Sequence, residues 1–197
     1  IEGGMVSSSD KKFYNIASAI RAHGWSRDMQ QPFKKKLEKK FKVDEFKSFF
    51  TFYYSGFNIR STDLNATLGV EQLKKLNKIS KIRHLNFYKY KSNLKDFWCQ
   101  KSKLSLISSF GYATFVKNRL EVFKYLKSKK IQTRPLICGN MGQQPFLKKR
   151  LIKNNDLQNS NKVDKFGIYL PNHANLRFKD IDYVTKIFKE VAIPFNF

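Results

Sequence analysis

Residues 56–76 read GFNIRSTDLNATLGVEQLKKL, and this stretch carries the most specific signals in the chain. A Gly-containing turn opens it, and a Ser61-Thr62-Asp63 run can cap the helix that follows. The apolar stripe of that helix consists of Leu64, Leu68, Leu73 and Leu76. A turn that feeds a helix N-terminus can bind an anion, and Asn58 and Arg60 lie on the same side of this segment if it is extended. The residues alone leave two interpretations open, an anion site or a turn with a surface Arg.

The chain upstream of this stretch combines one regular helix with a long irregular segment. Apolar residues at 4–8 predict a strand, and Asp10 can cap a helix that ends near Gly24. Periodicity is lost from about 25 to 54. Within that region, the Lys-rich part at 34–47 predicts a mobile loop.

The chain downstream mixes helices with strands, which predicts an α/β or α+β arrangement. A second helical run extends over about 79–94. Strands are predicted at 106–116, 131–137 and 166–170, and a terminal helix at 180–191. Asn118, with Glu121 three residues later, resembles a capping box and predicts one more helix.

The size and composition of the chain exclude several classes of protein. It has 197 residues, of which 41% are apolar, so it can bury a core in one or two domains. No stretch approaches the ~20 apolar residues of a membrane helix, and the N-terminus lacks the sectors of a signal peptide. Two cysteines cannot form a disulfide framework. We therefore expect a cytoplasmic protein without a membrane partner, and the start at Ile1 without a Met suggests that the chain begins inside a longer protein.

The formal net charge of +24 points to a polyanionic partner, but the type of basic residue points away from one. Only eight of the 39 basic residues are Arg, the side chain suited to bidentate phosphate and base contacts. The Lys excess occurs together with abundant Asn, Phe, Ile and Tyr, as in proteins from A/T-rich genomes. We therefore favour solvated Lys faces over a dedicated polyanion site.

An RNA-binding module is the alternative from another class of protein. Residues 108–115, SSFGYATF, resemble the inner-strand motif of RNA-recognition domains, with aromatic residues at Phe110, Tyr112 and Phe115. The basic-Gly opening of that motif is replaced by Ser-Ser, and no partner strand is evident upstream. A half-buried strand with alternating aromatic residues is the preferred interpretation, so nucleic acid is not expected as a partner.

Sites for metals and phosphate loops are not indicated by the sequence. Three His and two Cys are scattered too widely for zinc-ligand spacing, and neither a P-loop nor a dinucleotide fingerprint is present, so we expect no metal site. Polar residues do follow two predicted strands. Asn140 comes after a Cys-Gly turn and His173 after Pro-Asn, and ligands are often bound at such strand ends. Each of these signals is weak by itself.

Taken in order, five segments resemble the DegT/DnrJ/StrS family. They are IEGGM at 1–5, RAHGWSRDM at 21–29, GFNIRSTDLNATLGVEQLKKL at 56–76, TRPLICGNMGQQP at 133–145 and LPNHANL at 170–176. This family consists of pyridoxal 5'-phosphate (PLP) enzymes of the aspartate aminotransferase fold that act on nucleotide-linked keto-deoxysugars. The resemblance therefore implies an α/β, fold-type I PLP-dependent transferase. It implies the end of the large PLP-binding domain with a linker helix at 1–77, and the small C-terminal α/β domain at 78–197.

The resemblance also implies roles for individual residues. Family members carry the Asn and Arg of their Gly-x-Asn-x-Arg segment into the neighbouring subunit's active site. Asn58 is therefore expected to bind the cofactor phosphate of the partner subunit, and Arg60 to bind the substrate. This arrangement requires a homodimer with shared active sites. The residue that faces the aldehyde carbon of the cofactor is expected upstream of Ile1, so the chain by itself is expected to be inactive.

The nature of that upstream residue divides the family. Most members have Lys there and are aminotransferases, whereas a branch resembling GDP-4-keto-6-deoxymannose 3-dehydratase has His and removes the C3 hydroxyl. Three segments, at 1–5, 133–145 and 170–176, are more similar to the His branch. We therefore favour 3-dehydration, in deoxysugar and surface polysaccharide biosynthesis, and keep transamination as the alternative. In this branch Asn140 and His173 are expected near the sugar or cofactor, and an amino acid is expected as the amine donor.

Overall fold

Two units make up the fold, Ile1–Lys74 and Lys75–Phe197. The structure, a computed structural model, describes residues 3–148 and 157–195. The assignment of 1–77 to the end of a large PLP-binding domain, and of 78–197 to a small domain, stays a prediction.

The first unit is built on helix α1, Lys11–Arg21. Asp10 caps it as predicted, because its carboxylate accepts hydrogen bonds from two backbone N–H groups of the first turn. The helix ends in two residues with positive φ, His23 at 60° and Gly24 at 90°. This is the left-handed termination predicted for Gly24.

The segment at 34–47, predicted to be a mobile loop, contains helical structure instead, so that prediction was wrong. Helix α2 spans Gln31–Phe41 and helix α3 spans Glu45–Ser48. Pro32 lies in the first turn of α2, where its missing N–H costs no helical hydrogen bond. Asp44 caps α3 through its side chain. The apolar residues of α2 are spaced four apart, a helical signal that the abundant Lys obscured.

Helix α4, Asp63–Leu73, begins at Thr62, whose hydroxyl accepts from the backbone N–H of Asn65. No residue of α4 is buried, and its predicted apolar stripe is exposed. The strand predicted at 4–8 was wrong, because these residues have no regular secondary structure. The first unit therefore consists of helices joined by irregular chain, with isolated β-bridges between them.

The second unit contains a small antiparallel sheet. Its strands are β1 Gly111–Phe115, β2 Arg134–Pro135 and β3 Gly167–Pro171. The order is β1-β3-β2, so the last strand in the chain lies in the middle. Gly111 pairs with Pro171, and Phe115 pairs with Gly167.

Within 75–148 and 157–195, five helices accompany the sheet. They are α5 Leu76–Asn93, α6 Arg119–Ser128, α7 Pro145–Lys148, α8 Gln158–Phe166 and α9 Phe178–Lys189, with a 3-10 turn at Met141–Gln143. The predicted helix after Asn118 is present as α6. Asn118 makes no capping bond to it and instead accepts from the backbone N–H of Ile193.

One buried core joins helices α5, α6 and α9 to strands β1 and β3. Tyr90 of α5 stacks on Tyr112 of β1, with ring centroids 5.0 Å apart. The Tyr90 hydroxyl donates to the carbonyl of Pro171 at 2.7 Å, and burial raises the pKa of Tyr90 above its ordinary value. These contacts fix the end of β3, where the predicted site residue His173 follows.

Candidate functional site

The segment from Gly56 to Arg60 lies against the end of α1. Three backbone hydrogen bonds hold it there, given with the donor first: Phe57 to Ile20 at 2.7 Å, His23 to Phe57 at 2.8 Å and Ile59 to Arg21 at 3.1 Å. Asn58 forms an antiparallel bridge with Ala22. Because extended chain places alternate side chains on one side, this pairing supports the expectation that Asn58 and Arg60 face the same way.

Two glycines allow the close approach of backbone to backbone. A Cβ on Gly56 would lie 2.3 Å from the backbone nitrogen of Gly24. A Cβ on Gly24 would lie 1.8 Å from the carbonyl oxygen of Tyr54, and the φ of +90° at Gly24 itself favours glycine. No larger residue fits at either position without movement of the main chain.

Asn58 and Arg60 are exposed, and their side chains form no hydrogen bond or ion pair with any residue in 3–148 or 157–195. The guanidinium carbon of Arg60 lies 5.9 Å from the ring centroid of Trp25, within reach of a cation–π contact. A rigid backbone therefore presents two polar side chains that are available to another molecule.

A cavity of about 590 Å³ opens beside Arg60 within the first unit. Its polar lining comes from Arg21, Arg60, Ser61, Asn65 and Gln72, and Gly3 and Gly4 lie at its edge. Arg21 already pairs with Asp28 at 2.9 Å. Guanidinium, amide and hydroxyl donors suit a ligand that carries phosphate or many hydroxyl groups.

Three residues of this lining, Arg21, Asn65 and Gln72, were not predicted from the sequence. Asn65 and Gln72 are seven residues apart and share one face of α4, so helical spacing could have indicated them. Arg21 carries no such signal, because its place depends on the pairing of α1 with the Gly56–Arg60 segment. Ile1 and Glu2, which belong to the first resembling segment, lie outside the described residues.

Asn140 lies in a buried polar network of the second unit. Its side chain is 1% exposed and donates to Oδ1 of Asn161 at 2.6 Å. Its own Oδ1 accepts from the backbone N–H of Gly142 at 2.9 Å, and its backbone N–H donates to Asp164 at 3.3 Å. These contacts shape the turn at 138–144. The predicted contact of Asn140 with sugar or cofactor stays a prediction.

His173 is exposed just beyond strand β3. Its Nδ1 accepts from the backbone N–H of Asn175 at 3.1 Å, and its carbonyl accepts from the Asn86 amide at 3.3 Å. The ring is thereby oriented while the edge with Nε2 remains accessible. The four predicted site residues thus fall into two units, Asn58 and Arg60 in the first, Asn140 and His173 in the second.

The burial of β1 removes the basis for an RNA-binding sheet. Tyr112 and Phe115 are fully buried, against Tyr90 and Trp98 respectively. Of the three aromatic residues in the motif, Phe110 alone is exposed. Bases stack on aromatic residues of an open sheet face, and this strand offers none.

In the part of the chain that the structure describes, no three or more His, Cys, Asp or Glu side chains come together as metal ligands. No helix of residues 3–148 and 157–195 has the length and apolar character needed to cross a bilayer. Cys99 and Cys138 are both free thiols.

Comparison with known proteins places the chain in a family. Residues 1–189 match the DegT/DnrJ/EryC1/StrS aminotransferase family.

The chain belongs to this family.

Two relatives of this DegT/DnrJ/EryC1/StrS chain are named GDP-4-keto-6-deoxy-D-mannose 3-dehydratase. The protein from Escherichia coli is 30% identical over an alignment 198 residues long, and this alignment covers 96% of this chain and 50% of the relative. The protein from Yersinia pseudotuberculosis is 30% identical over 187 residues, covering 88% of this chain and 46% of the relative. The chain spans about half the length of the curated relatives it matches.

Solved structures of the family confirm the predicted α/β, fold-type I class. The E. coli 3-dehydratase with bound hydrated PLP is 28% identical, with a TM-score of 0.76, over 92% of this chain and 48% of that one. A 3-dehydratase variant with bound GDP-perosamine is 29% identical, with a TM-score of 0.74, over 92% and 49%. A putative sugar aminotransferase from Streptococcus pneumoniae has the same fold at 18% identity and a TM-score of 0.72, over 93% and 45%. The fold alone therefore does not separate dehydratases from aminotransferases.

Proposed function

We propose that this chain forms part of a homodimeric, PLP-dependent enzyme that removes the C3 hydroxyl of a nucleotide-linked 4-keto-6-deoxysugar. One observation carries the proposal. The glycine-dependent backbone contact presents Asn58 and Arg60 beside a cavity lined with hydrogen-bond donors, and neither side chain has a hydrogen-bond or ion-pair partner in the described residues. Two relatives at 30% identity, both named for 3-dehydration of GDP-4-keto-6-deoxymannose, supply the choice of reaction.

The cofactor proposal rests on the donors around this cavity. A Cβ on Gly3 or Gly4 would meet no atom within 4 Å, so the glycine edge leaves space for a ligand. Bound PLP would supply an electron sink for bond cleavage next to the carbon that carries its amine. Asn58 would hold the cofactor phosphate in the neighbouring subunit through its amide, and Arg60 would bind the anionic, hydroxyl-rich substrate.

The proposal of a homodimer follows from the same two side chains. The Asn58 amide and the Arg60 guanidinium have no hydrogen-bond or ion-pair partner in 3–148 or 157–195, so neither side chain has an evident role in the folding of its own unit. The exposed apolar stripe of α4, which begins only three residues after Arg60, adds apolar surface that association would bury. A site completed by Asn58 and Arg60 of the neighbouring subunit uses both features.

Residues of the second unit are proposed to contribute from their own turns. His173 offers an accessible imidazole edge for the sugar. Asn140 is also kept as a proposed substrate residue, although both polar atoms of its side chain have partners within the chain. Its contribution to the binding of the sugar would therefore include holding the backbone of the 138–144 turn in place.

Transamination of the same class of substrate is the second candidate, favoured by the family match over residues 1–189. The two reactions share fold, cofactor and proposed dimer. They differ in the residue that faces the aldehyde carbon of the cofactor. We propose His there, with an amino acid as amine donor, because imidazole can act as a base without forming a covalent bond to the cofactor. The cytoplasmic location stays a prediction.

Product analysis of the intact enzyme tests this proposal. GDP-4-keto-6-deoxymannose, PLP and glutamate are incubated with the enzyme, and the sugar is identified by mass spectrometry. We expect a 3-deoxy keto sugar, with no product when glutamate is omitted. Accumulation of a 4-amino sugar would assign the aminotransferase reaction instead. Absence of either product, from enzyme shown to be folded and loaded with PLP, would contradict the proposed function.

A further inference from the structure

The α2–α3 arm, residues 30–52, is a part of the first unit to which the proposed function assigns no role. It is held in place at both ends. At its start, the backbone N–H of Gln30 donates to the buried Asn15 side chain at 2.6 Å. Within it, the Ser48 hydroxyl donates to the Glu38 carboxylate. At its end, Phe52 forms an antiparallel bridge with Trp25. The side chains at its tip are therefore carried on an ordered frame.

Three phenylalanines at the tip of the arm are exposed. The exposed fraction is 87% for Phe46, 59% for Phe49 and 68% for Phe50. Together with Lys47 and Thr51 they line a cavity of about 580 Å³. That volume lies within the roughly 300–1,000 Å³ of small-molecule sites, and phenyl walls suit a flat aromatic ring.

The arm is also strongly basic. It contains seven Lys but only three acidic residues, Glu38, Asp44 and Glu45. Two of these acids have structural partners, since Glu38 binds Ser48 and Lys34, and Asp44 caps α3. The remaining lysines form no ion pair with any described carboxylate: Lys35, Lys36, Lys39, Lys40, Lys42 and Lys47. A ligand for this arm must therefore be anionic as well as flat.

The phenylalanine cavity is connected to Arg60 through Trp25. Phe50 meets the edge of the Trp25 ring at a centroid distance of 5.7 Å. The guanidinium carbon of Arg27 lies 4.4 Å from the ring centroid of Trp25 and 5.4 Å from that of Phe50. The guanidinium carbon of Arg60 lies 5.9 Å from the Trp25 centroid. Arg27 forms no ion pair among the described residues. An aromatic cavity and two unpaired guanidinium groups thus lie around one indole.

We propose that the arm binds the nucleoside diphosphate end of the substrate. The base stacks on Phe46 and Phe50, and the diphosphate lies between Arg27 and the lysines of the arm. The inference rests on the proposed function only in taking the substrate to be a nucleotide-linked sugar. A neutral ring would leave the lysines unused, and a simple polyanion would leave the phenylalanines unused. A nucleoside diphosphate uses both.

Titration calorimetry of GDP into the 197-residue chain tests this inference. We expect saturable binding at one site. Phe46→Ser alone and together with Phe50→Ser should weaken it by roughly 5- to 150-fold, the factor that corresponds to the stacking of one base on an aromatic ring. Phe46 is the safer of the two positions for folding, because it is the most exposed. Phe178→Ser, at a 50% exposed phenylalanine of the second unit, is the matched control and should bind like the unmodified chain. Thermal melts followed by circular dichroism check that each variant is folded.

Three results would overturn the inference. The first is unchanged GDP affinity in both arm variants. The second is inorganic pyrophosphate binding as tightly as GDP, which would reduce the site to its cations. The third is displacement of GDP from the arm by a single-stranded RNA oligomer at equal nucleotide concentration, with a higher affinity per site for the RNA than for GDP. This titration measures binding and does not depend on the enzymatic reaction. If GDP does not bind to the arm but the product analysis gives the 3-deoxy keto sugar, the arm proposal is wrong and the proposed function is unaffected.

Discussion

Replacement of Gly56 by Ala would test whether backbone contact with α1 positions Asn58 and Arg60. The added Cβ would lie 2.3 Å from the backbone nitrogen of Gly24 and 2.5 Å from the carbonyl carbon of His23. Neither atom can rotate away, so the segment itself must move. The three hydrogen bonds between residues 57–59 and the end of α1 would lengthen or break. At about 0.5–1.5 kcal/mol net for each bond, we expect a loss of about 1.5–4.5 kcal/mol in the free energy of unfolding of the first unit.

Urea unfolding followed by Trp25 fluorescence measures this loss. The chain has two tryptophans, one in each unit, so a Trp98→Phe background restricts the signal to the first unit. Gly69→Ala in α4 is the matched control, because its Cβ would meet nothing within 4 Å. It should leave stability unchanged or raise it by about 0.5–1 kcal/mol. A Gly56→Ala chain that loses less than about 0.5 kcal/mol would refute the positioning argument.

Two predictions concern the second unit. Asn161→Ala removes the side-chain oxygen that accepts hydrogen bonds from two side-chain amides of the 138–144 turn, at 2.6 and 3.1 Å. Urea unfolding followed by Trp98 fluorescence should therefore show a loss of about 1–3 kcal/mol in the free energy of unfolding. Asn159→Ala, at an exposed position, is the control, and equal stability of the two variants would count against the network. The hydrogen bond from Lys89 holds the pKa of Asp182 below its usual value, so this pair stabilises the fold above about pH 4 and is lost as pH falls through the lowered pKa. In the acid range, the free energy of unfolding of Asp182→Asn should therefore depend less steeply on pH than that of Asp96→Asn, a control at an exposed position. The same pH dependence in both variants would contradict the assignment.

The helix ends were the best predicted part of the fold because capping is local. Asp10 and Thr62 satisfy backbone groups within their own first turns, so the sequence around each is sufficient. Two of the three strands were predicted too long, whereas the strand predicted at 166–170 is observed at Gly167–Pro171. The apolar run at 106–116 pairs with β3 only over Gly111–Phe115, because the length of β1 is set by this partner, which lies more than fifty residues later. Apolar composition indicates burial but not the extent of pairing.

The arm at 30–52 was missed as structure because its charge dominated its periodicity. Only a small set of apolar residues spaced four apart marks α2, and α3 is a single capped turn. Its order depends on partners elsewhere, such as Asn15 for Gln30. Tertiary contacts of this kind leave no trace in a local pattern.

The candidate site was predictable where its residues are contiguous. Asn58 and Arg60 stand in one motif next to the glycine that their placement requires, so motif and geometry agree. Arg21 lines the same cavity only because the chain folds back onto α1. The burial of Asn140 could not be foreseen either, since its partner Asn161 lies 21 residues away on α8.

Activity from mixed dimers tests the central claim, that Asn58 and Arg60 complete the site of a neighbouring subunit. In the intact enzyme, Arg60→Ala should cost about 2–4 kcal/mol of transition-state stabilisation while the dimer persists. This inactive subunit is mixed and reassociated with a second inactive subunit, one altered at the residue that faces the aldehyde carbon of the cofactor. We predict recovery of activity, because each heterodimer contains one site with both groups intact. No recovery, with heterodimers confirmed by native mass spectrometry, would show that the site is not shared.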